Sequence, residues 1–259
     1  MENNNENICN YSDVKSHYIL EIIFNNLNEM KLLNIIRYNK NIKNILDKNI
    51  IDYKNCLKIE IEIEVENIKN KENFININNE EYNLFEFYNS DTKEKILNNY
   101  ITEKEKKITI LIDYDYKNLS DLFKYCKYIK KVNFIIFNRK DIVIMRSMFD
   151  GCSSLKELNI NNFNTNNVTD MSGMFGGCSS LEKLNHSNFN TSNVKDMSIM
   201  FRACEALKAL ELSNFNTNNV SNMREMFSLC KSLKVLNLSS FNTNEVTDMY
   251  GMFQECSSL

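Results

Sequence analysis

The sequence predicts an α/β solenoid of 26-residue strand–turn–helix coils joined to a smaller α+β N-terminal region. The first observation behind this is a fixed interval: Phe149, Phe175, Phe201, Phe227 and Phe253 stand 26 residues apart, and so do Leu155, Leu181, Leu207, Leu233 and Leu259. A constant period without insertion marks identical units in a line, each burying its apolar face against the next. The second is a column of cysteines at the same interval, Cys126, Cys152, Cys178, Cys204, Cys230 and Cys256. The third lies inside each unit, where apolar spacing switches from alternation to steps of three and four.

One unit shows the reasoning. Leu155-Lys156-Glu157-Leu158-Asn159-Ile160 follows the L-x-x-L-x-L pattern of a leucine-rich repeat. Leu158 and Ile160 alternate with Asn159, which predicts a short strand with one face turned inward. Phe163 fills the corner, and Asn164-Thr165-Asn166-Asn167 supplies turn chemistry. Val168, Met171, Met174, Phe175 and Cys178 then share one helical face, predicting a short helix capped by Asn167, with Asp170 in its first turn. A lone coil buries too little to offset the entropy of ordering itself, so stability is expected to belong to the array.

The period runs backward as well. Leu122, Phe123, Cys126, Ile129, Val132, Phe134, Phe137, Ile142 and Met145 match the unit one step earlier, which predicts a degenerate first coil. A further step places residues 108–112 beside it as a cap strand. Ile135 and Ile136 are apolar where later copies are polar, and contact with the N-terminal region is expected there. The chain thus divides into an α+β region over 1–105, with helices in 12–52 and strands in about 57–88, and an α/β leucine-rich-repeat solenoid over 106–259. The array stops inside a unit at Leu259, so an uncapped C-terminus belonging to a longer array is expected.

In the first region, Tyr18, Ile19, Ile22, Ile23 and Leu27 share a helical face, and Leu32, Leu33, Ile36, Ile42, Ile45 and Leu46 supply another. Ile59, Ile61, Ile63 and Val65 alternate with Glu60, Glu62 and Glu64, the pattern of a half-buried strand. Residues 75–77 and 82–88 extend a small sheet, and 93–100 read as a helix.

Composition narrows the function. Hydrophobic residues make up 43% of the 259, and the net charge is -3, which gives no global field toward nucleic acid. No apolar run is long enough to span a bilayer, and the Asn-rich start is no signal peptide, so a cytoplasmic location is expected. The cysteine column reads as packed free thiols. With only His17 and His186 available, no metal site forms and no acid–base pair stands out. No phosphate-binding or metalloprotease motif occurs. The protein is therefore expected to be no enzyme and to need no cofactor.

The residues 167–175 followed by Cys178, Leu181, Leu184 and Phe189-Asn190-Thr191 resemble the 26-residue repeat of BspA-like leucine-rich-repeat surface proteins. The pattern returns as 219–227, Cys230, Leu233, Leu236, Leu238 and Phe241-Asn242-Thr243. The resemblance implies a surface or secreted protein that adheres to host proteins or other cells. Residues Ile22-Ile23-Phe24-Asn25-Asn26-Leu27, with Leu32, Leu33 and Ile36, distantly resemble an F-box. That likeness implies a ubiquitin-ligase adaptor as partner of the N-terminal helices, and an intracellular scaffold or substrate receptor as the alternative function.

The expected binding surface is the strand face, where outward side chains stack in rows about 5 Å apart. It carries Lys156, Glu157, Asn159 and Asn161; Glu182, Lys183, Asn185 and Ser187; Lys208, Glu211 and Ser213; and Lys234, Asn237 and Ser239. The expected partner is a protein ligand.

Overall fold

Strict alternation of isoleucine and glutamate makes β1, Ile59–Val65, with Ile59, Ile61 and Ile63 fully buried. Branched side chains suit a pleated surface, and the intervening glutamates face the solvent side. The computed structural model describes residues 58–259 apart from 67, 69, 70, 78, 79, 114, 115 and 138. All of these belong to the second of two units, Lys58–Leu259. The helices expected over 12–52, and with them the F-box-like segment, lie outside the described residues.

Around β1 are β2 (Glu72–Asn73), a 3-10 turn (Tyr82–Leu84), β3 (Phe85–Asn89), β4 (Lys95–Ile96), β5 (Tyr100–Ile101), β6 (Lys107–Ile112) and β7 (Ile129–Phe137). The three-residue strands β8 (Glu157–Asn159), β9 (Ala209–Glu211) and β10 (Val235–Asn237) follow. The large sheet has the order β4-β3-β6-β1-β7-β8, with β9-β10 and β2-β5 as two-stranded pairs. Strand β1 is antiparallel to both β6 and β7, whereas β7 and β8 run parallel. Phe87, Ile110, Ile61 and Phe134 are thereby register partners across four strands, and all are buried.

Two expectations change here. Residues 108–112 do form a strand, β6, but β1 lies between it and β7. The alternating strand with four buried apolar positions is the better neighbour for a sheet buried on one face. Residues 93–100 are not a helix; they hold β4, a bend and the start of β5.

The fold class expected from the sequence is overturned. Among the described residues there is no α-helix, only strands, turns and the 3-10 turn. The architecture is mainly β, not an α/β leucine-rich-repeat solenoid of strand–turn–helix coils. The reason lies in the backbone. Asp121, Ser147, Gly173, Ile199, Glu225 and Gly251 have φ between +50° and +62°, and Tyr125, Gly151, Gly177, Ala203, Leu229 and Glu255 between +56° and +73°. Each unit thus turns left-handed twice, four residues apart, and a right-handed helix cannot pass through such residues.

What replaces the helix is a ladder between successive units. Met145, Ser147, Phe149 and Gly151 donate their N–H groups to the carbonyls of Asp170, Ser172, Met174 and Gly176 at 2.7–3.0 Å. Met171, Gly173, Phe175 and Gly177 donate in the same way to Asp196, Ser198, Met200 and Arg202. These bonds run forward along the chain, and at the start of each segment Thr169, Lys195, Ser221 and Thr247 donate back to the carbonyls of Val143, Thr169, Lys195 and Ser221 at 2.8–2.9 Å. At its first turn, Asn76 closes the carbonyl edge: its N–H bonds Leu122 O at 2.8 Å, and its side-chain amide reaches Asp121 O and Lys124 O.

Apolar and polar columns then fill the stack. Phe123, Phe149, Phe175, Phe201, Phe227 and Phe253 lie with neighbouring ring centroids 5.6–6.0 Å apart and planes within 15°. The thiols of Cys152, Cys178, Cys204, Cys230 and Cys256 donate to the phenylalanine carbonyl one unit back, at 3.0–3.3 Å. Burial drives the first three thiol pKa values well up and that of Cys230 to about 12, so these groups stay protonated donors. The buried hydroxyls of Thr165, Thr191 and Thr217 each donate to one asparagine carbonyl of the next unit and accept that residue's N–H.

Asn167 is no helix cap. Its side-chain amide, like those of Asn193 and Asn219, donates to a carbonyl 27 residues back, at 2.6–2.7 Å. Asp170 instead accepts from the N–H and hydroxyl of Ser172, an Asx turn that Asp196 repeats with Ser198.

Candidate functional site

Alternation on the short strands aims the residues at 156, 157 and 159, and their equivalents in later units, away from the core. Of the fourteen strand-face residues expected from the sequence, thirteen are exposed and Asn237 is half-buried. Six of them, Lys156, Glu157, Asn159, Glu182, Lys183 and Asn185, line one open depression of about 530 Å³. Lys131, Asn133 and Leu158 complete its wall. Lys208, Glu211, Ser213, Lys234, Asn237 and Ser239 continue the rows beyond it, and Asn161 and Ser187 sit in the turns that follow the rows, outside the depression.

Sequence reasoning missed Lys131 and Asn133. They belong to the degenerate first coil, one period before Glu157 and Asn159, and subtracting 26 from those two finds both.

Side chains along the rows pair with one another. Lys131 Nζ meets Glu157 at 2.9 Å and Lys208 meets Glu182 at 3.1 Å. The Lys131 hydrogen bond holds Glu157 below the usual carboxylate range and raises Lys131 in turn. Glu211 is lowered by the amide of Asn237 at 3.1 Å, with the Ser213 side chain and backbone adding to it. The Asn159 amide donates to Asn133 at 2.7 Å, and Asn185 donates to Asn161 at 2.9 Å. A single exposed pair of this type contributes little to stability.

Beneath the depression the strand ladder is interrupted. β7 pairs with β8 and β9 with β10, but residues 181–186 between them form no strand. His186 occupies the core position that holds Ile160, Leu212 and Leu238 in the other units. It is buried against the Phe215 ring at 5.2 Å, and its Nδ1 has no hydrogen-bond partner. Burial lowers its pKa, offset in part by its own backbone, by Asn214 and by the carboxylate of Glu211.

A histidine whose folded pKa is depressed leaves stability intact above the unfolded value of about 6.5 and removes it as pH falls below that value. His186→Leu is therefore expected to raise stability by about 1–3 kcal/mol, the cost of one unsatisfied buried polar atom. The gain should be larger at pH 5 than at pH 8, as read by thermal melts of both proteins at the two values.

Among the described residues no helix is long and apolar enough to cross a membrane, and no three His, Cys, Asp or Glu side chains gather in a metal-holding group.

The model of a family described as "Mycoplasma protein of unknown function, DUF285" matches residues 117–210 and 182–259, together more than half of the chain. The chain belongs to that family. The DUF285 match begins at the first coil and covers the whole ladder of forward-running bonds, the depression and all fourteen strand-face residues. The antiparallel strands β1, β3, β4 and β6 lie before it. No curated protein and no solved structure matches the chain.

Proposed function

We propose that this DUF285 protein is a non-catalytic protein-interaction module that presents the strand face of its stacked units to a protein ligand. In this reading it is a surface protein of the adhesive, BspA-like kind that its repeat resembles. The observation that carries the proposal is the convergence of six exposed strand-face side chains from two consecutive units on one depression. Regular rows of polar side chains on a rigid stack give a preorganised surface, which lowers the entropic cost of binding.

A photo-crosslinking residue placed at position 183, inside the depression, tests it in the native cell. A specific protein adduct is expected from position 183 and none from position 195, on the flank of the same unit. Equal labelling from both positions contradicts the strand-face assignment. Mild protease treatment of intact cells tests the location: loss of the protein supports surface display, and full survival refutes it.

A further inference from the structure

Over its five units the strand face carries lysine at 130, 131, 156, 183, 208 and 234 against glutamate at 157, 182 and 211, in a chain whose net charge is -3. Glu62 and Glu64 of β1 stand opposite Asn133 and Lys131 and offset the lysines of the first coil, which leaves the unpaired lysines on the later units. The glutamates are already engaged. Glu157 is held by Lys131 at 2.9 Å, Glu182 by Lys208 at 3.1 Å, and Glu211 by Asn237 and the Ser213 N–H, each at 3.1 Å.

The lysines are not all so occupied. Lys130 and Lys156 share the single carboxylate of Glu66, each at 3.9 Å, and neither Lys183 nor Lys234 makes an ion pair among the described residues. Units about 5 Å apart place these amines within roughly two screening lengths of one another, so their fields add.

We infer that the segment recognised by this face is an extended acidic peptide crossing the units, its carboxylates meeting Lys156, Lys183 and Lys234. This rests on the strand-face reading above. The side-chain amides of Asn133, Asn159 and Asn185 stand in the same depression and offer hydrogen bonds to a peptide backbone. A nucleic-acid strand fits worse. Its phosphates are closely and evenly spaced, and would meet Glu157, Glu182 and Glu211 as often as the lysines. A peptide with spaced acids can place its charges on the amines alone.

The test uses the full chain and a fluorescein-labelled twelve-residue peptide alternating glutamate and serine, read by fluorescence anisotropy. A glutamine-for-glutamate peptide and a single-stranded dodecanucleotide serve as competitors. The glutamate peptide is expected to bind at least about tenfold more tightly than the glutamine peptide, and to weaken about tenfold as salt rises from low to physiological strength.

The combined variant Lys156→Ser, Lys183→Ser, Lys234→Ser changes exposed side chains only. It should melt as the parent does and lose about tenfold in affinity for the glutamate peptide, whereas Lys195→Ser on the flank changes nothing. Equal binding of both peptides, or no binding of either while position 183 still crosslinks a protein, overturns the acidic-peptide inference and leaves the strand-face reading standing. Tighter binding of the oligonucleotide, lost in the same triple variant, overturns it in favour of a general polyanion site. Loss of the crosslink itself overturns both.

Discussion

Gly177→Val is expected to destabilise the protein by about 3–4 kcal/mol, seen as a large fall in the urea midpoint. Gly177 has φ +65°, and a β-carbon there would stand 3.2 Å from both Cα and N of Gly151 in the unit before. Forcing an L residue into the left-handed region costs roughly 1–2 kcal/mol, more for a β-branched one. Overpacking against backbone, which cannot swing aside as a side chain can, adds about 1–3 kcal/mol. The same column supplies its own control. Ala203 sits at φ +56° one unit later, and Ala203→Gly should stabilise, because it relieves the strain and meets no new contact. Were residues 171–178 a helix, the signs would reverse: valine would be tolerated at 177, and glycine at 203 would cost about 1 kcal/mol.

Phe175→Ala is expected to cost about 3–5 kcal/mol, the usual loss on truncating a fully buried aromatic side chain. The ring is stacked between Phe149 at 6.0 Å and Phe201 at 5.6 Å and meets Phe189 at 6.4 Å, so its removal opens the column in three directions. Phe253→Ala should cost much less, because that ring is 44% exposed and, among the described residues, stacks on Phe227 alone. Chemical denaturation of the two variants checks the order. Equal losses would mean that the rings do not act as a continuous column.

The periodic part of the structure was readable because register is a property of spacing, and spacing is what a sequence displays. The interval of 26 placed Phe149, Cys152 and Leu155 in their columns, and subtraction found the first coil although mainly its apolar positions survive. The conformation within the interval was not readable from spacing alone. Val168, Met171, Met174, Phe175 and Cys178 satisfy a helical template, yet tight turns bury all five equally well. The contrary signal lay in the glycines. Four of the five, Gly151, Gly173, Gly177 and Gly251, fall on the two positions that later prove left-handed. The other copies hide this rule by placing Ile199, Glu225 and Leu229 there.

Asparagine carried a second hidden signal. Its abundance looks like compositional bias, but Asn167, Asn193 and Asn219 each bridge to the preceding unit, which no single-unit pattern reveals. Strand β1 was legible as a half-buried strand; its place beside β7 was not, because antiparallel pairing between residues some seventy positions apart leaves no local trace. For the candidate site, alternation identified which side chains point outward. It did not show that those of two units, with Lys131 and Asn133, enclose a depression, since that depends on how the strand face curves.

Alternate amides of each turn segment bond forward to the next unit and not back along a helix. Scalar couplings through hydrogen bonds, measured by long-range triple-resonance NMR on uniformly labelled protein, test it directly. A coupling is expected from the Phe175 nitrogen to the Met200 carbonyl carbon and from the Phe201 nitrogen to that of Met226, matching bonds of 3.0 and 2.9 Å. A coupling from the Phe175 nitrogen to the Met171 carbonyl carbon, with none to Met200, would contradict it.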